Sequence, residues 1–394
     1  MRAEDPVHWT IAPGGTSFWS LFKHAEVKTV LNDNDLFSSE KDGIIPLSNK
    51  ELEIFCAKDE GFGSGRSIIV TDRPRHTELR KVIEPPFKPK ALVDYAARCD
   101  ELIKAIFDDL PSSGECDIVE DIGAKIPMAV ICDVMNIPKE DYKQILAFGR
   151  MTLAGADPEF TTEGTPIDTM GAGFRGLREY CRKLAVTRRG CPHQDMLSQM
   201  ANAEIDGTAL SDDELGYNGL LALLAGFETT RNTFSGGVLA LLQHPQEMAK
   251  LRENPKGIRL AVEEALRWSN AVISLMRVAT RDVEVGGKTI KAGERIVIWL
   301  ASANRDEDVF ERADEFDVSR HPNQHIAFGG GAHFCISGPL AKHGLSYALK
   351  ELLERYDGIE LVGDAERVES NFVGGLKRLP VRLIHRDGEL RSAG

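Results

Sequence analysis

The sequence has no long apolar run, no paired cysteines, no basic excess and no internal repeat, and each absence removes a class of function. The apolar stretch Leu220–Ala225 falls far short of the roughly 18 residues that a membrane helix needs. The opening residues, MRAEDPVHW, are charged and polar and contain no secretory core, so the expectation is a cytoplasmic chain without a membrane anchor. The seven cysteines, at 56, 99, 116, 132, 181, 191 and 335, are scattered and form no CxxC pair. That speaks against a disulfide framework or a cysteine zinc site and fits a reducing compartment. Lys and Arg total 48 against 61 Asp and Glu, a net charge of −13, the wrong sign for a nucleic-acid binder. No flavin or nicotinamide motif and no second cysteine cluster for an iron–sulfur centre is present. At 42% hydrophobic and 28% charged residues the composition is that of an ordinary globular protein.

What the chain does have is concentrated in Ile326–Gly344, IAFGGGAHFCISGPLAKHG. The glycine run Gly329–Gly331 lets the backbone approach a bulky partner closely. Cys335 follows the run and precedes a helix-like segment beginning near Pro339, and a helix N-terminus stabilises a thiolate. An arbitrary cysteine is more often a packing residue, but this setting suits a metal ligand. Further upstream, Ser211 and Glu214 form a capping box, and the pattern predicts one long helix over 211–243, stopped by Pro245. Ala225 and Thr229 share a face of it at i, i+4. Gly226 gives close approach, and Glu228 lies beside that face, placed to relay protons. His76 and Arg80 are i, i+4 on another helix, two donors able to grip an anion. Glu264 and Arg267, i, i+3, are spaced to pair. Val283–Ile290 turns at Gly286-Gly287 as a hairpin, and Ile296–Leu300 reads as a strand. Residues 41–70, with Gly61, Gly63 and Gly65, and the polar stretch 155–168 read as loops.

The run Phe328-Gly329-x-Gly331-x-His333-x-Cys335, followed by Leu340-Ala341, resembles the heme-binding loop of the cytochrome P450 family, soluble bacterial type. Ser337 stands where that family usually has glycine, with Gly338 next. The segment 72–80 resembles the family's D-x-P-x-H-T-x-L-R motif, and Ala225–Thr230 resembles its oxygen-activating segment, about a hundred residues before Cys335. The resemblance covers nearly the whole chain, with the motifs in order. It implies a single-domain fold over 1–394, mostly α with a small β portion, and heme b (iron protoporphyrin IX) between the long central helix 211–243 and the ligand loop 326–344. It implies Cys335 as the iron ligand, with Phe328 and Gly338 beside it, and His76, Arg80, Arg277 and His333 on the heme carboxylates. Glu228 and Thr229 would manage protons at Ala225's side of the heme. Glu264, Arg267 and Arg320 would form a structural ion cluster. The loop 155–168 would be a lid, residues 41–70 a loop over the pocket, and Ser370–Gly375 a substrate-contacting turn, with Val272, Ile273 and Phe372 as pocket residues.

The implied activity is monooxygenation: one atom of O2 enters an apolar terpenoid, steroid-like or secondary-metabolite substrate. Electrons would come from a separate ferredoxin and ferredoxin reductase, attracted by basic residues such as Lys342 and Lys81. The alternatives are a peroxide-using enzyme, an oxidative coupling or desaturating enzyme, and a heme-dependent ligand-binding protein without catalysis.

Overall fold

The structure is a computed structural model that describes residues 1–385 apart from Gly14, Glu163 and Pro192. The end of the expected 1–394 domain and Glu163 of the expected lid thus lie outside the described residues.

The chain is built around the helix Asp212–Gln243, whose 32 residues span roughly 48 Å at 1.5 Å per residue. Its ends follow from local chemistry. Ser211 and Glu214 close a reciprocal capping box, and Asp212, Asp213 and Glu214 set negative charge in the first turn, where the helix dipole favours it. At the other end Pro245 starts the next helix, and the residue before a proline leaves the helical region. Most of this central helix is buried, from Leu215 to Leu241. Two glycines let neighbours come in. A Cβ on Gly219 would lie 2.7 Å from the Cys181 side chain of helix Pro166–Val186, and one on Gly226 would lie 2.8 Å from the Ile131 side chain of helix Lys125–Val134. Gly226 therefore serves helix packing, while Ala225, beside it, is exposed to a cavity.

A five-stranded sheet lies to one side, in the order Val7–Ile11, Ser17–Leu21, Arg295–Trp299, Ser274–Ala279, Phe37–Ser38. The expected hairpin forms, with Val285 opposite Lys288 across Gly286-Gly287. Both glycines have positive φ, 54° and 74°, the backbone that such a two-residue turn demands.

Two expectations shift. Residues 41–70 are not loop throughout: Ser48 caps a helix over Asn49–Ala57 through a box with Glu51. The 155–168 stretch ends early, because Thr165 and Asp168 form another capping box and Pro166 opens the next helix.

The ion cluster is present and fully buried. Arg267 donates to both Glu264 oxygens at 2.8 and 2.7 Å, and Arg320 Nε reaches the same carboxylate at 3.2 and 3.1 Å. The remaining guanidinium donors reach backbone carbonyls, Arg267 at Asn304, Ala313 and Glu315, and Arg320 at Glu311, Arg312 and Glu315. One carboxylate thereby joins the helix Ile258–Ser269 to the meander leading to the Cys335 loop. No helix among the described residues is long and apolar enough to cross a membrane.

Candidate functional site

The central helix and the Cys335 loop line one cavity, which encloses about 1360 Å³ of space not filled by atoms, part of it open to solvent. The loop folds through its glycines. Gly329 and Gly331 have φ of 71° and 59°, and a Cβ on Gly331 would lie 2.5 Å from the Leu31 carbonyl. The loop then closes on itself through Cys335 N–H donating to the Phe328 carbonyl at 3.0 Å, and the helix Gly338–Arg355 runs away from it. Burial pushes the Cys335 thiol above its ordinary pKa, against the Ser337 hydroxyl, the Ser337 and Gly338 backbone N–H groups and Arg80, which all favour the thiolate.

At one edge of the cavity four cationic or proton-bearing side chains converge. His76 and Arg80 come from the helix Arg75–Ile83, Arg277 from the strand Ser274–Ala279 and His333 from the ligand loop. The His76 and His333 rings are 4.3 Å apart. His76 is pushed down to about 4, first by burial and then by Arg80 and Arg73. His333 falls to about 2, by burial and then by Arg277, His76 and Arg80. Burial also lowers Arg277 to about 10, with Asp72 opposing. Both ring nitrogens of His76 and the Arg277 Nε are buried without a hydrogen-bond partner among the described residues. Buried donors left in this state are costly, and a positive, under-satisfied edge fits an anionic group such as a heme carboxylate.

The rest of the wall is aliphatic. Ile44, Ile68, Ile69, Leu221, Leu275 and Val272 contribute to it. Leu275 and Arg277 reach it together because alternate strand residues share a face. Ala225, Thr229 and Thr230 form the central-helix side, with the Thr229 hydroxyl donating to the Ala225 carbonyl at 2.8 Å.

Four sequence candidates lie off this wall. Glu228 is 2% exposed and turned away, its carboxylate bound by Arg231 and, at 3.3 Å, by Asn232. One helical residue advances about 100°, so the neighbour of a cavity residue is easily swung aside. Gly338 bears on the sulfur through its backbone N–H, which favours the thiolate. Ile273 precedes the strand and spends its N–H on the Phe372 carbonyl at 2.8 Å, while the Phe372 ring is packed in the core. Their segments touch the site by backbone, through the Val272–Val373 bridge. Lys342 is paired with Glu263 at 2.7 Å, which offsets the charge expected to attract an electron donor.

Sequence reasoning set the segment 41–70 over the pocket but did not single out Ile44, Ile68 and Ile69, which line the cavity and signal nothing by spacing. It also missed Ser39, whose hydroxyl is 3.2 Å from His333 Nε2. Asp72 accepts from the Ser39 N–H at 3.0 Å and from the Ser38 hydroxyl, fixing that strand beside the helix carrying His76.

Comparison with known proteins decides the family. Residues 182–378 match the Cytochrome P450 family. The Steroid C26-monooxygenase of Mycolicibacterium smegmatis is 33% identical over 390 residues, covering 97% of this chain and 88% of that protein. The chain is a cytochrome P450. The Linalool 8-monooxygenase of Pseudomonas putida is likewise 33% identical over 386 residues, 98% of this chain and 94% of that one. A Mycobacterium marinum cytochrome P450 solved in complex with pseudoionone superposes with a TM-score of 0.88 at 32% identity, covering 96% of this chain and 92% of that structure. This P450 is thus a monooxygenase with the P450 fold and uses heme b, O2 and a lipophilic substrate.

Proposed function

We propose that this P450 hydroxylates an uncharged, largely aliphatic molecule of terpenoid or steroid-like kind, with Cys335 as the heme ligand and a separate ferredoxin and reductase as electron source. The observation that carries the reading is the shared cavity: Cys335, Thr229 and the under-satisfied His76–Arg277 edge line one space whose remaining wall is largely aliphatic. Relatives named for a steroid and for linalool, and a neighbour holding pseudoionone, support the lipophilic class. When bound, heme would supply the iron that activates O2, and a thiolate from Cys335 would be the electron-rich ligand that favours this chemistry.

The chain's own groups do the rest. Cys335 gives the negative ligand, and His76, Arg80, Arg277 and His333 hold the heme carboxylates. Phe334, half exposed next to Cys335, offers an electron donor a contact one residue from the sulfur. The Thr229 hydroxyl points its hydrogen at the Ala225 carbonyl, so its lone pairs accept a proton-bearing partner from the cavity. A proton passing from Glu228 to Thr229 requires the Glu228 side chain to leave Arg231. Thr229→Ala removes the hydroxyl at the reacting side, where positioned proton transfer contributes about 10²–10⁴-fold. Product per reducing equivalent should fall at least about tenfold while consumption continues and released peroxide rises, and Thr229→Ser should restore coupling. Unchanged coupling in Thr229→Ala would show that the hydroxyl takes no part.

Among the described residues, the ionisable side chains on the cavity wall are Cys335 and the His76, Arg80, Arg277, His333 edge. A substrate carboxylate therefore finds no partner beyond the groups assigned to heme, and an unpaired buried charge is costly. The test is a spin-state titration of the purified holoenzyme with a neutral terpenoid or steroid panel and the matching carboxylic acids. Neutral compounds should produce the shift and be hydroxylated, with the acids at least about tenfold weaker, a cost well within that of an unpaired buried charge. Preference for the acids would overturn the substrate reading.

A further inference from the structure

The position two residues after Cys335 carries a side chain that the loop does not need for its shape. Ser337 has φ −93° and ψ 5°, outside the left-handed region that favours glycine. It directly precedes the helix Gly338–Arg355, yet its side chain makes no capping hydrogen bond to that helix. Its hydroxyl instead lies 3.6 Å from Cys335 Sγ, within reach for a hydrogen bond to sulfur. The backbone N–H groups of Ser337 and Gly338 are directed at the same sulfur. A thiol and a hydroxyl can each donate to the other. A thiolate has no hydrogen, so once Cys335 is ionised the bond runs one way, from Ser337 Oγ–H to the sulfur.

We propose that Ser337 is a positioning residue for the heme: its hydroxyl is a third hydrogen-bond donor to the Cys335 thiolate, beside two backbone N–H groups, and it raises the heme iron's reduction potential. The inference rests on the reading of Cys335 as the iron ligand. Each donor to the sulfur draws electron density away from the iron, and outer-shell hydrogen bonds of this kind tune a metal centre. The ferric form, which depends most on that density, loses more than the ferrous form, so reduction becomes easier. The serine thus weakens the thiolate's donation in exchange for readier electron uptake.

The experiment is an optical redox titration of substrate-free holoenzyme for the native chain, Ser337→Ala, Ser337→Gly and Ser337→Thr, with the Soret band of each reduced, carbon monoxide-bound form recorded alongside. A hydrogen bond to a charged group is worth on the order of a tenfold change in an equilibrium constant. Ser337→Ala and Ser337→Gly should therefore lower the reduction equilibrium constant about tenfold, a shift of about 59 mV for one electron. Their carbon monoxide-bound Soret bands should stay at the thiolate position, displaced further to the red. Ser337→Thr keeps a hydroxyl and should return the potential to within a third of that shift. Unchanged potentials in both the Ala and Gly variants, with thiolate-type bands retained, would overturn the role of Ser337 and leave the Cys335 ligand standing. Bands at the position of a neutral ligand in all four proteins would overturn the ligand reading itself, and the Ser337 proposal with it.

Discussion

Cys335→Ser is expected to fold but to lose monooxygenation, with turnover falling by more than about a hundredfold, beyond the 10–100-fold typical of removing only an outer-shell partner of a metal ligand. The expectation comes from the local geometry. The loop's shape is held by glycines and by the backbone bond from residue 335 to Phe328, neither of which needs sulfur. The His76–Arg277 edge, proposed to hold the heme carboxylates, is likewise untouched, so the variant should retain a bound, altered cofactor. What would disappear is the electron-rich ligand that Cys335 would give the iron. Heme content, far-UV circular dichroism and product formation measured on one preparation check this. A folded, heme-loaded Cys335→Ser protein with near-native turnover would mean that another side chain ligates the iron.

Glu264→Ala is expected to be the most damaging substitution for stability. The carboxylate is wholly buried, and two buried arginines depend on it for their only negative charge within the cluster. Breaking a buried pair by removing one partner costs about 3–5 kcal/mol, against a total stability of about 5–15 kcal/mol for a typical domain. The carbonyls around Arg267 and Arg320 still accept hydrogen bonds but do not neutralise charge. With about 2–4 °C of melting temperature per kcal/mol in chains of moderate size, the holoenzyme should unfold roughly 10 °C earlier. The cluster joins the helix Ile258–Ser269 to the segment ahead of the ligand loop, so heme loss should accompany unfolding. Thermal melts followed by circular dichroism and by the Soret band test it. A melting temperature within about 1 °C of native would show that the buried cluster contributes nothing measurable to stability.

Much of this was readable from spacing where one short-range rule decides the outcome. The Ser211–Glu214 box and Pro245 bound the central helix, and Gly286-Gly287 fixes the hairpin, because each is a local backbone requirement. Glu264 and Arg267 pair because i, i+3 leaves little choice. The same rules, applied less fully, explain two shifted boundaries: Ser48 with Glu51 starts a helix inside 41–70, and Thr165 with Asp168 ends the loop between two helices a few residues before 168. That first helix buries only Phe55, so its hydrophobic pattern was too weak to declare it.

The site is different, since its walls come from segments distant in sequence. Ile44, Ile68 and Leu221 meet only through tertiary packing. Glu228 stands next to a cavity residue in sequence, yet Arg231 one turn along captures its carboxylate, a competition between two partners that spacing leaves open. Phe372 turns into the core while its carbonyl serves Ile273. Lys342 looked free beside the ligand loop because Glu263 is far from it in the chain.

The central claim is that the Cys335 sulfur, as a thiolate, would ligate the iron of a heme held in the cavity that Cys335 and Thr229 both line. The most direct test is the absorption spectrum of the purified native protein, reduced and exposed to carbon monoxide. The account predicts a strongly red-shifted Soret band that Cys335→Ser abolishes. A band at the position given by a neutral proximal ligand in the native protein, or a red-shifted band that survives Cys335→Ser, would contradict it.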